Sequence, residues 1–363
     1  MMNRRKFLHD TALGALGYSL FSQYDYCSRV KIPNPRGLGI ALVGLGYYST
    51  DLLAPALQKT QHCYLAGIVT GSPEKAERWQ KQYGIPARNI YNYQNFDSIA
   101  DNPAIDVIYI VLPPSLHAEY VIRAANAGKH VWCEKPMAVT AAECEQMIAA
   151  CEKNKVQLSI GYRMHHEPNT QTIMGFAKNK PYGNIQKLSA SAGYFDNRSN
   201  HWKQKKAMGG GATYDMGVYC INAARYATGL EPVSVLARQS TTRPDIYSEV
   251  DETMHFELEF PGGIQAVCET SFGKSMNSLR VDCANGWYSL EPFQSYTGVK
   301  GITSDGIALD AAIDNEQARQ MDDDALAIMQ KKPGLVSGME GLLDIKVVEA
   351  IYRSVKENGK SKI

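Results

Sequence analysis

The chain has 363 residues, 44% of them hydrophobic, enough for two packed cores and an expectation of two domains. Lys and Arg number 38 against 37 Asp and Glu, a formal charge of +1, which leaves no electrostatic case for a nucleic-acid partner or an anionic membrane. Eight cysteines, at 27, 63, 133, 144, 151, 220, 268 and 283, have no C-x-x-C spacing, which argues against a zinc site; most read as buried thiols, with pairing left open.

The chain begins with Asn3-Arg4-Arg5-Lys6-Phe7-Leu8 and a weakly apolar stretch over 11–21. This resembles a twin-arginine export signal: a charged start, paired arginines, and an apolar segment too short and too glycine-rich to span as a stable helix. A periplasmic location is therefore expected, with a basic helix on a cytoplasmic protein as the alternative. Residues 1–36 are read as export signal and arm, the segment Lys31-Ile32-Pro33-Asn34-Pro35-Arg36 being a semi-rigid arm or a plain linker.

The first apolar run, 39–43, ends in Gly44-Leu45-Gly46-Tyr47-Tyr48-Ser49 and leads into helical text over 52–57. Strand, glycine turn and helix in that order are what a pyrophosphate-binding loop requires, because the free N–H groups of the helix start face the phosphates. Ser49 stands at the third fingerprint position, so the helix is expected slightly farther from the strand. A second run, 64–70, leads to Thr70-Gly71-Ser72-Pro73-Glu74-Lys75, where hydroxyls, a glycine and a cation suit a ribose 2′-phosphate better than a carboxylate would. Glu74 looks like a first-turn helix residue. A third run, 105–112, is apolar throughout but for Asp106, as a strand buried on both faces should be. It ends in Pro113-Pro114-Ser115-Leu116-His117. A fourth, 130–133, delivers Glu134-Lys135-Pro136 to the carboxyl edge of the sheet, and 156–161 extends the sheet. Helices are expected over 118–127, stopped by Gly128, and over 140–153, opened by Thr140 with Glu143 at the third position.

A second domain is expected from residue 163. His165-His166-Glu167 invites a metal reading, but adjacent histidines point apart, so pocket or surface roles are preferred and no metal is expected. Gly209-Gly210-Gly211 opens a helix on which Asp215 and Tyr219, four apart, share one face, the glycines admitting a ligand. Alternating text over 253–260 and 264–270, separated by Pro261-Gly262-Gly263, reads as a hairpin. Tail helices over 315–331 and 338–358 close the fold and are expected to pack back on the first domain.

Gly44-Leu45-Gly46, Val69-Thr70-Gly71 with Lys75, the run from Pro113 to His117, Glu134-Lys135-Pro136, Gly161-Tyr162-Arg163, and Gly209 to Ala212 followed by Asp215, Gly217 and Tyr219 occur in one order. On these motifs the chain, from about residue 37 onward, resembles the glucose–fructose oxidoreductase and inositol dehydrogenase (Gfo/Idh/MocA) family, most of all its glucose–fructose oxidoreductase branch. The departures are Ser49, and Pro114 where the family often has Asn. The resemblance implies an α/β fold: a Rossmann doubly wound parallel sheet in 37–162, then an α+β domain in 163–363 with a mostly antiparallel open sheet. It implies NADP(H) as cofactor, with NAD(H) as the alternative, small sugar substrates, and a homo-oligomer, dimer or tetramer.

Cofactor contacts are then expected from Gly44, Gly46, Tyr47 and Tyr48, from Thr70, Gly71, Lys75 and Tyr93, and from Leu112, Pro113, Ser115 and His117. Glu134, Lys135, Arg163 and Trp202 complete the set. By the same resemblance Tyr219 is the proton acceptor, Lys135 activates it and orients substrate and nicotinamide, and Asp215 hydrogen-bonds the sugar or tunes the pair. The expected activity is oxidation of a cyclic aldose at C1 to a lactone, with the hydride returned to a carbonyl substrate. Alternatives are a simple NAD(P)-dependent sugar or polyol dehydrogenase, an NAD-dependent glycosidase of the same family type, and a cofactor-binding sensor without turnover.

Overall fold

The apolar runs become the strands of a parallel sheet: β1 Leu38–Val43, β2 Cys63–Val69, β3 Ile90–Tyr91, β4 Val107–Ile110, β5 His130–Cys133 and β6 Leu158–Ile160, in the order β3-β2-β1-β4-β5-β6. The structure, a computed structural model, describes residues 37–363; the export-signal and arm readings and Cys27 lie outside the described residues. Strand order reverses between β1 and β4, which opens a crevice at the carboxyl ends of these strands. β4 is buried at every residue, as a strand covered on both faces must be. The two-residue β3 had no apolar run to announce it. It is fixed by polar neighbours: Asn89 donates to the Ala66 carbonyl at 2.7 Å and Asn102 to the Tyr91 hydroxyl at 2.8 Å.

At the turn after β1, Ser49 is fully buried and its hydroxyl donates to the Gly44 carbonyl at 2.6 Å. The helix opens with a π segment, Tyr48–Leu53, in which the Ala54 N–H reaches back to the Ser49 carbonyl, before Ala54–Leu57 continues as α. Pro55 has no N–H with which to carry an α pattern through that turn. The helix Ala141–Lys153 carries the expected capping box of Thr140 and Glu143.

The second sheet has nine strands, all neighbouring pairs antiparallel except Ile185–Gly193 with Gln265–Ser271. Thr253–Glu259 pairs antiparallel with Gln265–Ser271 across the expected Pro261–Gly263 turn, and its Met254, Phe256 and Leu258 alternate inward. Both tail helices pack back on the first sheet. Glu316–Met329 presents Ala318, Met321, Ala325 and Ile328 to a cluster containing Trp79 and Trp132. Gly338–Glu357 approaches so closely that a Cβ on Gly341 would lie 2.7 Å from the Met137 Cβ. Ile110 and Met137 of the first half share one buried cluster with Val218, Ile345 and Val348 of the second. The seven described cysteines are free and buried. Among the described residues no helix is long and apolar enough to cross a membrane.

Candidate active site

The crevice at β1, β2, β4 and β5 opens into a cleft of ≈ 1180 Å³ that continues to the second sheet. Gly44 has φ +89°, and a Cβ there would lie 2.3 Å from the Val111 carbonyl oxygen, so the β1 turn can rest on the end of β4 as glycine alone. A Cβ on Gly46 would meet nothing within 4 Å, which leaves the helix start open to a phosphate. Tyr47 and Tyr48 follow, the first at the rim and 64% exposed. Thr70, Gly71 and Lys75 line the wall beyond β2 with Tyr93. Ser72 caps the helix Pro73–Tyr83, Glu74 lies exposed in its first turn, and the Lys75 ammonium donates to the Leu45 carbonyl at 2.9 Å, tying the two nucleotide loops together.

Leu112 and Pro113 line the cleft, but Ser115 and His117 do not. His117 is buried, with Nε2 2.8 Å from the Leu112 carbonyl and Nδ1 2.9 Å from that of Pro136. Burial keeps its pKa below the ordinary value. It staples the loop after β4 to the Glu134–Pro136 turn and reaches the cleft through the backbone alone. The Ser115 hydroxyl turns to Met208, 3.9 Å from its sulfur.

The three residues expected to carry chemistry converge. The Lys135 ammonium donates to the Asp215 backbone carbonyl at 2.8 Å, lies 3.8 Å from Asp215 Oδ1, and sits 4.3 Å from the centre of the Tyr219 ring. Asp215 and Tyr219 share a face because a π segment, Thr213–Gly217, runs into the α-helix Val218–Thr228. Buried Asp251 anchors the start, accepting from the Thr213 N–H and hydroxyl at 2.8 Å each. The glycines before it line the cleft and also let the protein pack closely around them. A Cβ on Gly209 would meet Pro114 at 2.9 Å, one on Gly210 the Lys203 carbonyl oxygen at 2.4 Å, and one on Gly211 the Asp251 carboxylate at 2.3 Å.

Arg163 joins this group. It donates to the Tyr219 hydroxyl at 2.9 Å and to the Ser295 carbonyl at 2.8 Å, with Glu316 3.0 Å away as counter-ion. Glu134 lies beneath, accepting from the Tyr109 hydroxyl at 2.6 Å; burial lifts its pKa. Burial also pushes Glu316 up to about 7 against the opposing pull of Arg163. Burial alone would pull Lys135 down, but Tyr219, Asp215 and Glu134 outweigh it and hold the ammonium above its ordinary value. For Asp215 burial again opposes the charge, and Lys203 and Lys135 overrule it, holding the carboxyl at about 2.

Trp202 lines the cleft, as do residues that no sequence pattern marked: Tyr194, Arg198, Lys203 and Tyr296. His165 and His166 take neither pocket nor surface roles. Both are buried, His165 Nε2 2.7 Å from Asn222 and His166 Nδ1 2.9 Å from Asp323, and burial lowers His165 to about 4. Among the described residues no His, Cys, Asp and Glu group is arranged to hold a metal.

Residues 38–162 match the family described as "Oxidoreductase family, NAD-binding Rossmann fold", and residues 171–289 match the GFO/IDH/MocA C-terminal domain. Aldose–aldose oxidoreductase from Caulobacter crescentus, solved in complex with glycerol, is 38% identical, superposes with a TM-score of 0.87, and covers 90% of this chain and 100% of its own. D-xylose 1-dehydrogenase [NADP(+)] of Haloarcula marismortui is 26% identical over 92% of this chain and 95% of its own length. Apo scyllo-inositol dehydrogenase from Lactobacillus casei, 18% identical with a TM-score of 0.75 over 91% of this chain and 99% of its own, shares the fold. The parallel sheet with its glycine turn and the mostly antiparallel sheet facing it define a dinucleotide-binding oxidoreductase. The chain belongs to the Gfo/Idh/MocA oxidoreductase family.

Proposed function

We propose that this protein is an NADP(H)-dependent sugar oxidoreductase that oxidises a cyclic aldose at C1 to a lactone and returns the hydride to a second carbonyl compound. The convergence of Lys135, Asp215 and Tyr219 at the inner end of the nucleotide cleft carries the reading. The names of the two relatives above, an aldose–aldose oxidoreductase and an NADP(+)-dependent xylose dehydrogenase, support it.

The open cradle at Gly46 and the wall of Thr70, Gly71 and Lys75 fit a dinucleotide whose ribose carries a phosphate. When bound, NADP(H) supplies the hydride acceptor and donor. The chain supplies the rest. Tyr219, its hydroxyl fixed by Arg163, takes the proton from the C1 hydroxyl as the hydride leaves C1. Lys135 places a positive charge beside the oxygen that becomes the lactone carbonyl, and Asp215 accepts a hydrogen bond from the sugar. In the return half-reaction Tyr219 gives the proton to the carbonyl oxygen being reduced.

A Thr70→Asp variant tests the cofactor assignment. Thr70 is buried at the end of β2, and a carboxylate there would repel the 2′-phosphate by about 1–3 kcal/mol. NADP(H) affinity, followed by fluorescence titration, should fall while NAD(H) affinity holds. Equal affinities before and after the change would refute the assignment.

The sequence Arg4-Arg5-Lys6-Phe7-Leu8 adds location to the proposal. An enzyme exported folded has no soluble nicotinamide pool outside the cytoplasm, so its cofactor is held and regenerated in place. Ping-pong kinetics follow. Gel-filtered full-length protein should convert an aldose and an acceptor carbonyl with no cofactor added, and cell fractionation should find it in the periplasm. Turnover that depends on added NAD(P) would favour the simple dehydrogenase.

A further inference from the structure

Asp215 is held asymmetrically. Its Oδ2 lies 2.6 Å from the Lys203 ammonium and accepts from the Tyr194 hydroxyl at 3.0 Å. Lys203 also donates to Tyr194 at 3.0 Å, closing a three-membered ring of contacts. Oδ1, in contrast, has Lys135 at 3.8 Å, too far for a hydrogen bond. One carboxylate oxygen is therefore saturated by the protein and the other is left with acceptor capacity on the side of Lys135.

Lys203 is not an ordinary surface lysine. Its side chain is 20% exposed and that of Asp215 13%, so the pair is largely withdrawn from water, where a short charge-assisted contact is worth more than at the surface. Its backbone is fixed as well. The Gly211 N–H donates to the Lys203 carbonyl at 2.9 Å, and Gly210 packs so closely on that carbonyl that any side chain would collide with it. The glycine triple and the carboxylate thus grip Lys203 at both ends.

We propose that Lys203 is a positioning residue for the reaction: with Tyr194 it locks Asp215 so that Oδ1 stands beside Lys135 as the acceptor for a sugar hydroxyl. The inference rests on the sugar oxidoreductase reading above. The charged and titratable groups around Asp215 are Lys135 from the turn after β5, Tyr194, Arg198, His201 and Lys203 from the loop after Ile185–Gly193, Tyr219 from its own helix, and Tyr296 from the loop opposite. Lys203 and Lys135 hold the carboxyl down at about 2, so losing Lys203 moves it upward.

The test is steady-state conversion of an aldose and an acceptor carbonyl by the gel-filtered full-length enzyme, followed as lactone release with and without added NADP⁺, for the native protein, Lys203→Met, Lys203→Arg and Tyr194→Phe. Lys203→Met should raise KM for the sugar and lower kcat/KM about 10–100-fold, with kcat falling less than kcat/KM. Lys203→Arg, which keeps the charge, should restore most of the native KM for the sugar. Tyr194→Phe should raise the sugar KM by less, and carries the test alone if Lys203→Met does not fold. A folded Lys203→Met enzyme with the native sugar KM, or a Lys203→Arg enzyme impaired as far as Lys203→Met, overturns the inference while leaving the function standing. A native enzyme that forms no lactone from any aldose tested, with or without added NADP⁺, overturns both.

Discussion

Tyr219→Phe is expected to lower kcat for aldose oxidation by about 10²–10⁴-fold, the usual worth of a positioned proton carrier. The substitution removes one atom from a ring that is 7% exposed and packs edge-on against Tyr162 at 6.4 Å, so the core contact survives. Lys135 keeps its place over the ring, 4.3 Å from the centre. The structural loss is confined to the hydrogen bond from Arg163, which retains the Ser295 carbonyl and Glu316. A fall in turnover would therefore report chemistry and not folding. The measurements are kcat and KM with several aldoses, beside NADP(H) affinity and thermal melting, both of which should stay near native. Near-native kcat in the folded variant would remove Tyr219 from the mechanism.

What the sequence showed and what it hid divide along physical lines. Strands buried on both faces are continuous apolar runs, so β1, β2, β4 and β5 were legible, and the helix Ala141–Lys153 announced itself through Thr140 and Glu143. Ile90–Tyr91 is too short to have a period, and asparagines on other segments hold it. Lys135, Asp215 and Tyr219 were legible as motif residues, and the structure brings them together. Lys203 and Tyr194 were not, because they sit in an irregular stretch where neither spacing nor periodicity says which way a side chain turns. The pairing of Arg163 with Glu316 joins residues far apart in the chain, and no local rule reaches that far. His117 shows the reverse error. A histidine beside a motif reads as a ligand contact, whereas its ring is spent on the backbone carbonyls of Leu112, Pro136 and Met137.

The helix Val218–Thr228 is buried at every residue, and yet it contains Arg225. That guanidinium is 3% exposed, 2.7 Å from Asp344 on the last helix, 2.9 Å from Glu340 and 2.6 Å from Glu231. Arg225→Met should cost about 3–5 kcal/mol of folding stability, because it leaves Asp344 a buried carboxylate with neutral neighbours such as the Asn222 amide at 3.0 Å in place of a cation. The sign of the pH dependence follows from Asp344. Burial lifts it to about 6 even with Arg225 beside it, and without the cation it must rise further. A carboxyl raised in the folded state above its unfolded value of about 3.9 makes the folded form bind more protons, so stability falls as pH climbs between those two values. The deficit of the variant should accordingly be largest near neutrality and shrink as the pH is lowered toward the unfolded value, below which both states hold the proton. Replacing the pair together, Arg225→Met with Asp344→Leu, should recover more than half of the loss, since apolar groups of similar volume carry no desolvation penalty. Urea unfolding of the three variants at several pH values measures all of this. A single variant within about 1 kcal/mol of native at neutral pH, or a double variant no better than the single, would show that the helix does not depend on this buried charge.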